Sequence, residues 1–167
     1  MEYKIMGGLI NLKKYQKSID KIENKESTNR EREGDFRTIA IDILQLEKFT
    51  NIYIPLKSQS IPFDFIAQKN KRLALVEMKG SSGDSFNYSK ETQYARLLRV
   101  INRLHELDIK KHNVFLLQIN SKYGVYQILT QTFYDLIFKT DLSHGGGKQS
   151  IEPGIEIIKE YLRKYKL

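Results

Sequence analysis

The chain has 167 residues, 40% of them hydrophobic and 29% charged, a length and composition that suit one domain with a sizeable core rather than a disordered segment. It contains no cysteine, which excludes disulfides, cysteine-based zinc sites and thiol catalysis. A formal net charge of +8 points to an anionic partner, most often nucleic acid, with a merely solvated basic surface as the alternative.

Residues 1–10 carry no strong pattern, and the absence of a long apolar run there predicts neither a signal peptide nor a membrane span, hence a cytoplasmic setting. From Asn11 to about Glu26, Leu12, Tyr15, Ile19 and Ile22 recur at helical spacing between lysines, which predicts an amphipathic surface helix. Ser27-Thr28-Asn29 interrupts it. Residues 1–28 are therefore expected to form an N-terminal helix and linker, and residues 29–167 a single globular domain. Thr28 and Glu31 have capping-box spacing and can open a second helix running to about Phe49, with Phe36, Ile39, Ala40, Ile43 and Leu44 on its buried side.

Strands are expected over Asn51–Pro55, Ile61–Ala67 and Leu73–Met78, with Gln68 to Lys71 as the turn between the second and third. The third is apolar enough to be buried on both faces. Gly80 to Asp84 reads as a connecting loop. A third helix follows over about Ser89 to Leu107, with Tyr94, Leu97, Leu98, Ile101 and Leu104 toward the core. Val114–Ile119 and Val125–Leu129 read as further strands, Gln131–Phe138 as a short helix, residues 143–150 as a loop, and Ile155–Tyr165 as a basic terminal helix. This order predicts an α/β fold, a central mixed sheet of about five strands flanked by helices.

Chemistry concentrates at one place. An acid, any residue and a lysine occur together four times, at Glu2-Tyr3-Lys4, Glu23-Asn24-Lys25, Glu77-Met78-Lys79 and Asp108-Ile109-Lys110. Only Glu77-Met78-Lys79 ends a strand of buried character. Alternation puts Glu77 and Lys79 on one face, where a charged pair requires a counter-group. Asp64, across the turn, is the natural one. Two carboxylates held close repel unless a cation intervenes, and oxygen donors favour Mg²⁺ or Mn²⁺ over zinc. The competing reading is an exposed hairpin whose charges only form ion pairs.

Pro62-Phe63-Asp64 followed by Glu77-Met78-Lys79 at a strand end resembles the signature of the PD-(D/E)XK nuclease superfamily, with Phe63 standing between the proline and the aspartate. The resemblance implies a restriction-endonuclease-like fold and Mg²⁺-dependent hydrolysis of DNA phosphodiesters. It implies a metal held by Asp64, Glu77 and the backbone carbonyl of Met78, with Lys79 assisting the attacking water. It further implies auxiliary residues on the flanking helices. Gln93 fits that position, its alternative being a solvent-facing residue of the first turn. Glu33, one turn before Phe36, is the choice on the earlier helix, since Glu31 can be taken up by the cap and Asp42 falls on a polar stripe.

Within the superfamily the closest likeness is to Holliday-junction resolvases of the RecU and archaeal Hjc type. It rests on the length of the Asp64–Glu77 hairpin, the Ser81–Phe86 segment before a Gln-bearing helix, and Gly145-Gly146-Gly147-Lys148-Gln149-Ser150-Ile151. That likeness implies branched DNA as substrate and a homodimer, although no insertion for a junction-filling stalk is present. Arg96, Arg99 and Arg103 recur on one side of the third helix, a stripe that can neutralise phosphates or simply face solvent. His105, His112 and His144 show no metal spacing and read as surface residues.

Overall fold

The computed structural model describes residues 5–9, 17, 20, 29–56, 62–81, 91–141 and 150–167. Its elements, in chain order, are β1 (Ile5–Leu9), α1 (Asn29–Leu46), β2 (Thr50–Tyr53), β3 (Phe65–Lys69), β4 (Arg72–Ser81), α2 (Glu91–Glu106), β5 (His112–Asn120), β6 (Val125–Leu129), α3 (Gln131–Phe138) and α4 (Glu152–Tyr165). The strands form one six-stranded sheet in the order β1-β6-β5-β4-β3-β2. Only β4 and β5 run parallel, joined through α2; every other neighbouring pair is antiparallel. The class is α/β with a mixed sheet, as the element order predicts.

The central strand β4 explains the layering. Leu73 and Leu75 point into one apolar cluster, with α2, α3 and α4. Ala74, Val76 and Met78 point into the other, against α1. A strand so placed must be apolar on both faces, and Leu73 to Val76 are each fully buried. The helix faces follow the expected periodicity: Ile39, Ala40, Ile43 and Leu44 of α1, and Leu97, Ile101 and Leu104 of α2, are almost completely covered.

The β3–β4 hairpin fixes the register. Asn70 and Lys71 occupy its turn with φ of 51° and 59°, the left-handed conformation of a type I′ turn, and Lys69 faces Arg72 across it. Pairing then runs through Phe65 opposite Val76, and the Asp64 N–H donates to the Val76 carbonyl at 2.9 Å, carrying the ladder to the end of the strand. Asp64 thereby arrives beside Glu77.

Several boundaries differ from expectation. Ile5–Leu9 pairs antiparallel with β6, so the sheet has a sixth strand drawn from the segment expected to precede the domain. The strand expected over Ile61–Ala67 starts at Phe65, and Pro62 to Asp64 form a bend; residue 61 lies outside the described residues. β4 continues through Gly80 to Ser81 instead of giving way to a loop, because the parallel ladder to β5 reaches Ser81 opposite Asn120 and the Ser81 carbonyl accepts from the Ser121 N–H at 2.9 Å. α4 begins three residues early, with Pro153 in its first turn, where the missing N–H costs no hydrogen bond. Lys17 and Asp20, both helical and exposed, are what is described of the expected helix over 11–26. The Thr28 cap, residues 82–90 and the glycine segment 145–147 lie outside the described residues. Among those described, no helix is long and apolar enough to cross a membrane.

Candidate active site

Glu77, Lys79 and Gln93 meet where β4 runs out toward the start of α2. Alternation on β4 turns Glu77 to the same side as Leu73 and Leu75, facing α2. Gln93, in the first turn of α2, closes the group. Its Nε2 donates to Glu77 Oε1, its Oε1 accepts from Lys79 Nζ at 3.0 Å, and Lys79 Nζ lies 3.4 Å from Glu77 Oε1. A neutral amide fits here because it can present a donor to the carboxylate and an acceptor to the ammonium at once.

Asp64 completes the group from the bend just before β3. Its Oδ2 accepts from the Met78 N–H at 2.8 Å, which fixes the carboxylate against the β4 backbone between Glu77 and Lys79. The cleft around these residues has a volume of about 360 Å³ and is also lined by Glu33, Phe36 and Gly80. Glu33 pairs with Arg37 one turn along α1, at 3.1 Å. Among the residues expected to carry catalysis or hold metal, Asp64, Glu77, Met78, Lys79, Gln93 and Glu33 therefore share one cleft. Gln93 faces inward rather than to solvent.

Electrostatically, the pair of carboxyls is held under strain. Glu77 is only 2% exposed, and its carboxyl titrates well above the usual range, first because burial disfavours the charge and second because Asp64 repels it; Lys79 pulls the other way. Burial also raises Asp64, against the opposing Met78 N–H, the hydrogen bond with Glu77, and the more distant Arg37 and Lys79. The two carboxyls act on one another, and both titrate above the ordinary carboxylate range. A divalent ion would suit such a pair, because its charge would offset the mutual repulsion. Among the described residues no group of three or more histidine, aspartate or glutamate side chains gathers that could hold a metal ion.

Gly80 and Phe36 belong to the cleft although neither was marked for it in the sequence. A Cβ on Gly80 would lie 2.5 Å from three atoms of the Phe36 ring, so the bare backbone is what lets α1 close over the end of β4. A glycine directly after the motif lysine was the available signal.

The arginine stripe is partly committed. Arg96, Arg99 and Arg103 are all half-buried rather than projecting freely. Arg103 bridges α2 to α4 through Glu152 at 3.1 Å and pairs with Glu106 at 3.0 Å on its own helix. Of the histidines, His105 is exposed as expected, but His112 is buried, and their rings lie 5.3 Å apart. The correction follows from β5 beginning two residues before Val114, which makes His112 the first residue of an interior strand, paired with Leu73. There its Nδ1 lies 2.9 Å from the Ile109 carbonyl oxygen, and burial lowers its pKa. His144 lies outside the described residues.

No family model, curated protein or solved structure matches this chain.

Proposed function

We propose that this protein is a metal-dependent endodeoxyribonuclease of the PD-(D/E)XK type, hydrolysing DNA phosphodiester bonds with branched DNA as substrate and a homodimer as the working form. The observation that carries the reading is the contact network joining Asp64, Glu77, Lys79 and Gln93 in one cleft at the end of β4. Four polar side chains from β4, α2 and the bend before β3 are concentrated where a buried strand would ordinarily end in apolar or capped positions.

Asp64, Glu77 and the Met78 carbonyl are the groups that would hold the ion, and an all-oxygen set suits Mg²⁺, with Mn²⁺ as a substitute. When bound, such an ion supplies polarisation of a phosphodiester oxygen and a more acidic water. The chain's own contribution is positional. Gln93 holds the Lys79 ammonium beside Glu77, where it can orient the attacking water and offset charge developing on the phosphoryl group. Glu33 lines the same cleft, paired with Arg37, and would serve as the auxiliary residue. The net charge of +8 fits a polyanionic substrate.

Branched DNA is favoured by the likeness to junction resolvases, and symmetric cutting of two strands calls for two sites related by a two-fold axis. Cleavage of labelled four-way junction, Y-fork, linear duplex and single-stranded DNA, with Mg²⁺ and with EDTA, tests this. Paired symmetric nicks at the junction support it. Cutting of linear duplex at one sequence makes the protein a restriction-type or repair endonuclease using the same residues. Binding without cleavage of any substrate leaves a non-catalytic DNA-binding protein.

A further inference from the structure

A second pocket, of about 220 Å³, opens between the edge strand β2 and the last turns of α4. Tyr53, Tyr161 and Tyr165 line it together with Ile157, and Lys164 and Glu160 stand at its rim. It is smaller than the roughly 300–1,000 Å³ of sites that enclose drug-sized ligands, so a single flat ring system is the natural occupant.

The pocket is built rather than incidental. The β2–β3 register shifts between Thr50 and Tyr53, and Asn51 takes a left-handed φ of 51°. Such a bulge bends an edge strand and re-aims the next side chains. Here the bend turns the Asn51 carbonyl to accept from the Tyr161 hydroxyl at 2.7 Å, while Asn51 Nδ2 donates to Gln68 Oε1 at 2.8 Å. Tyr161, buried, is thereby fixed as the floor, and the Tyr165 ring lies 4.7 Å from it. Tyr53 also lines the pocket and remains 38% exposed. Lys164 Nζ sits 5.2 Å from the centre of the Tyr165 ring.

Its position relative to the cleft follows from the strand register. Tyr53 pairs with Ile66, and Ile66 with Leu75, so Tyr53 is level with the residue two before Glu77. Two strand spacings sideways and two residues along the strand put the Tyr53 and Glu77 backbones about 12 Å apart. Tyr53 and Glu77 share the sheet face that carries α2 and α4, because Tyr53 is in register with Ile66 and Leu75. Arg103 near the end of α2 pairs with Glu152 at the start of α4. Arg163, Lys164 and Lys166 make the end of α4, beside this pocket, basic.

We propose that this pocket takes one unstacked base of the DNA strand that enters the cleft, held between the Tyr53 and Tyr165 rings, with Lys164 beside its phosphate. Aromatic faces beside basic groups hold unpaired bases whatever their identity, because every base offers a π-face. A branch point, where bases are already unstacked, supplies such a base without the cost of extruding one from a duplex. The substrate, a DNA strand, rests on the nuclease reading; the aromatic contacts do not.

The test uses the full chain in EDTA with single-stranded oligonucleotides carrying 2-aminopurine at successive positions. Stacking should quench the fluorophore on binding, and Tyr53→Ala or Tyr165→Ala should weaken binding by about 5- to 150-fold, with Tyr165→Phe close to the parent protein. Tyr53 lies on an exposed edge, so Tyr53→Ala carries the test if Tyr165→Ala fails to fold. Unchanged affinity and quenching in Tyr53→Ala overturn the proposal, as does an oligonucleotide that shows no quenching at any position. A parallel assay in Mg²⁺ separates the two readings. Quenching without cleavage of any DNA leaves the base pocket standing and removes the nuclease; cleavage with no quenching does the reverse.

Discussion

Gly80→Ala tests how the cleft is assembled, independently of what it does. The added methyl would meet the Phe36 ring at 2.5 Å, where ordinary contact begins near 3.4 Å, so ring and strand must separate by about 1 Å. Phe36 cannot simply swing out, because the buried Ile39, Ala40 and Ile43 hold α1 against the sheet one turn further on. Overpacking of this kind costs about 1–3 kcal/mol. In a chain of this length each kcal/mol lowers the melting temperature by about 2–4 °C, so a fall of about 2–12 °C is expected in thermal unfolding followed by circular dichroism. Phe36→Ala should cost about 3–5 kcal/mol alone, and the double variant less than the sum, since removing the ring removes the clash. Additive costs, or a Gly80→Ala protein that melts with the parent, would refute the close approach of α1 to β4.

Glu77→Gln should abolish Mg²⁺-dependent cleavage yet raise the melting temperature of the metal-free protein, because it removes a carboxyl whose charged form is disfavoured by burial and by Asp64; a lowered melting temperature would contradict that penalty. Metal-free stability should fall as pH rises above the ordinary glutamate range. The unfolded chain releases the Glu77 proton near pH 4.5 while the fold retains it to higher pH, so the folded state binds more protons across that window. Urea unfolding in EDTA between pH 5 and pH 8 measures the slope, and a rise over that window would reverse the assignment. Adding Mg²⁺ at pH 7.5 should raise the melting temperature of the parent but not of Glu77→Gln, with EDTA reversing the gain. Lys79→Met should fold and bind DNA while losing cleavage, read by paired melting, binding and nicking assays.

What the sequence disclosed follows from how local its signals are. α3 and β6 were read to the residue, because the alternation of Val125 to Leu129 and the apolar spacing of Gln131 to Phe138 are complete within their own spans. The buried faces of α1 and α2 were equally legible. β1 was not: Ile5–Leu9 contains Gly7 and Gly8, a poor strand on its own, and its pairing partner β6 lies more than a hundred residues away. The last residues of β4 escaped for a similar reason, since the ladder to β5 holds Gly80 and Ser81 extended against their local preference. His112 was misjudged because spacing between histidines says nothing about which strand end will be covered.

At the site, Asp64, Glu77 and Lys79 could be brought together on paper because hairpin register and alternation are short-range rules. Gln93 could be placed on its helix but not oriented; the hydrogen bonds that orient it depend on where α2 crosses β4. Glu33 was chosen by helical offset from Phe36, and the offset sufficed because Phe36 itself is anchored over Gly80.

The Asn70-Lys71 turn has a wider consequence. Shortening or lengthening it by one residue would slide β3 against β4 and turn Asp64 to the opposite face, and with it every apolar side chain of β3. A chain with the wrong spacing would therefore fail to collapse correctly before it could present a defective site. Folding proofreads the placement of the carboxylates: in this loop spelling can drift, whereas the syllable count cannot.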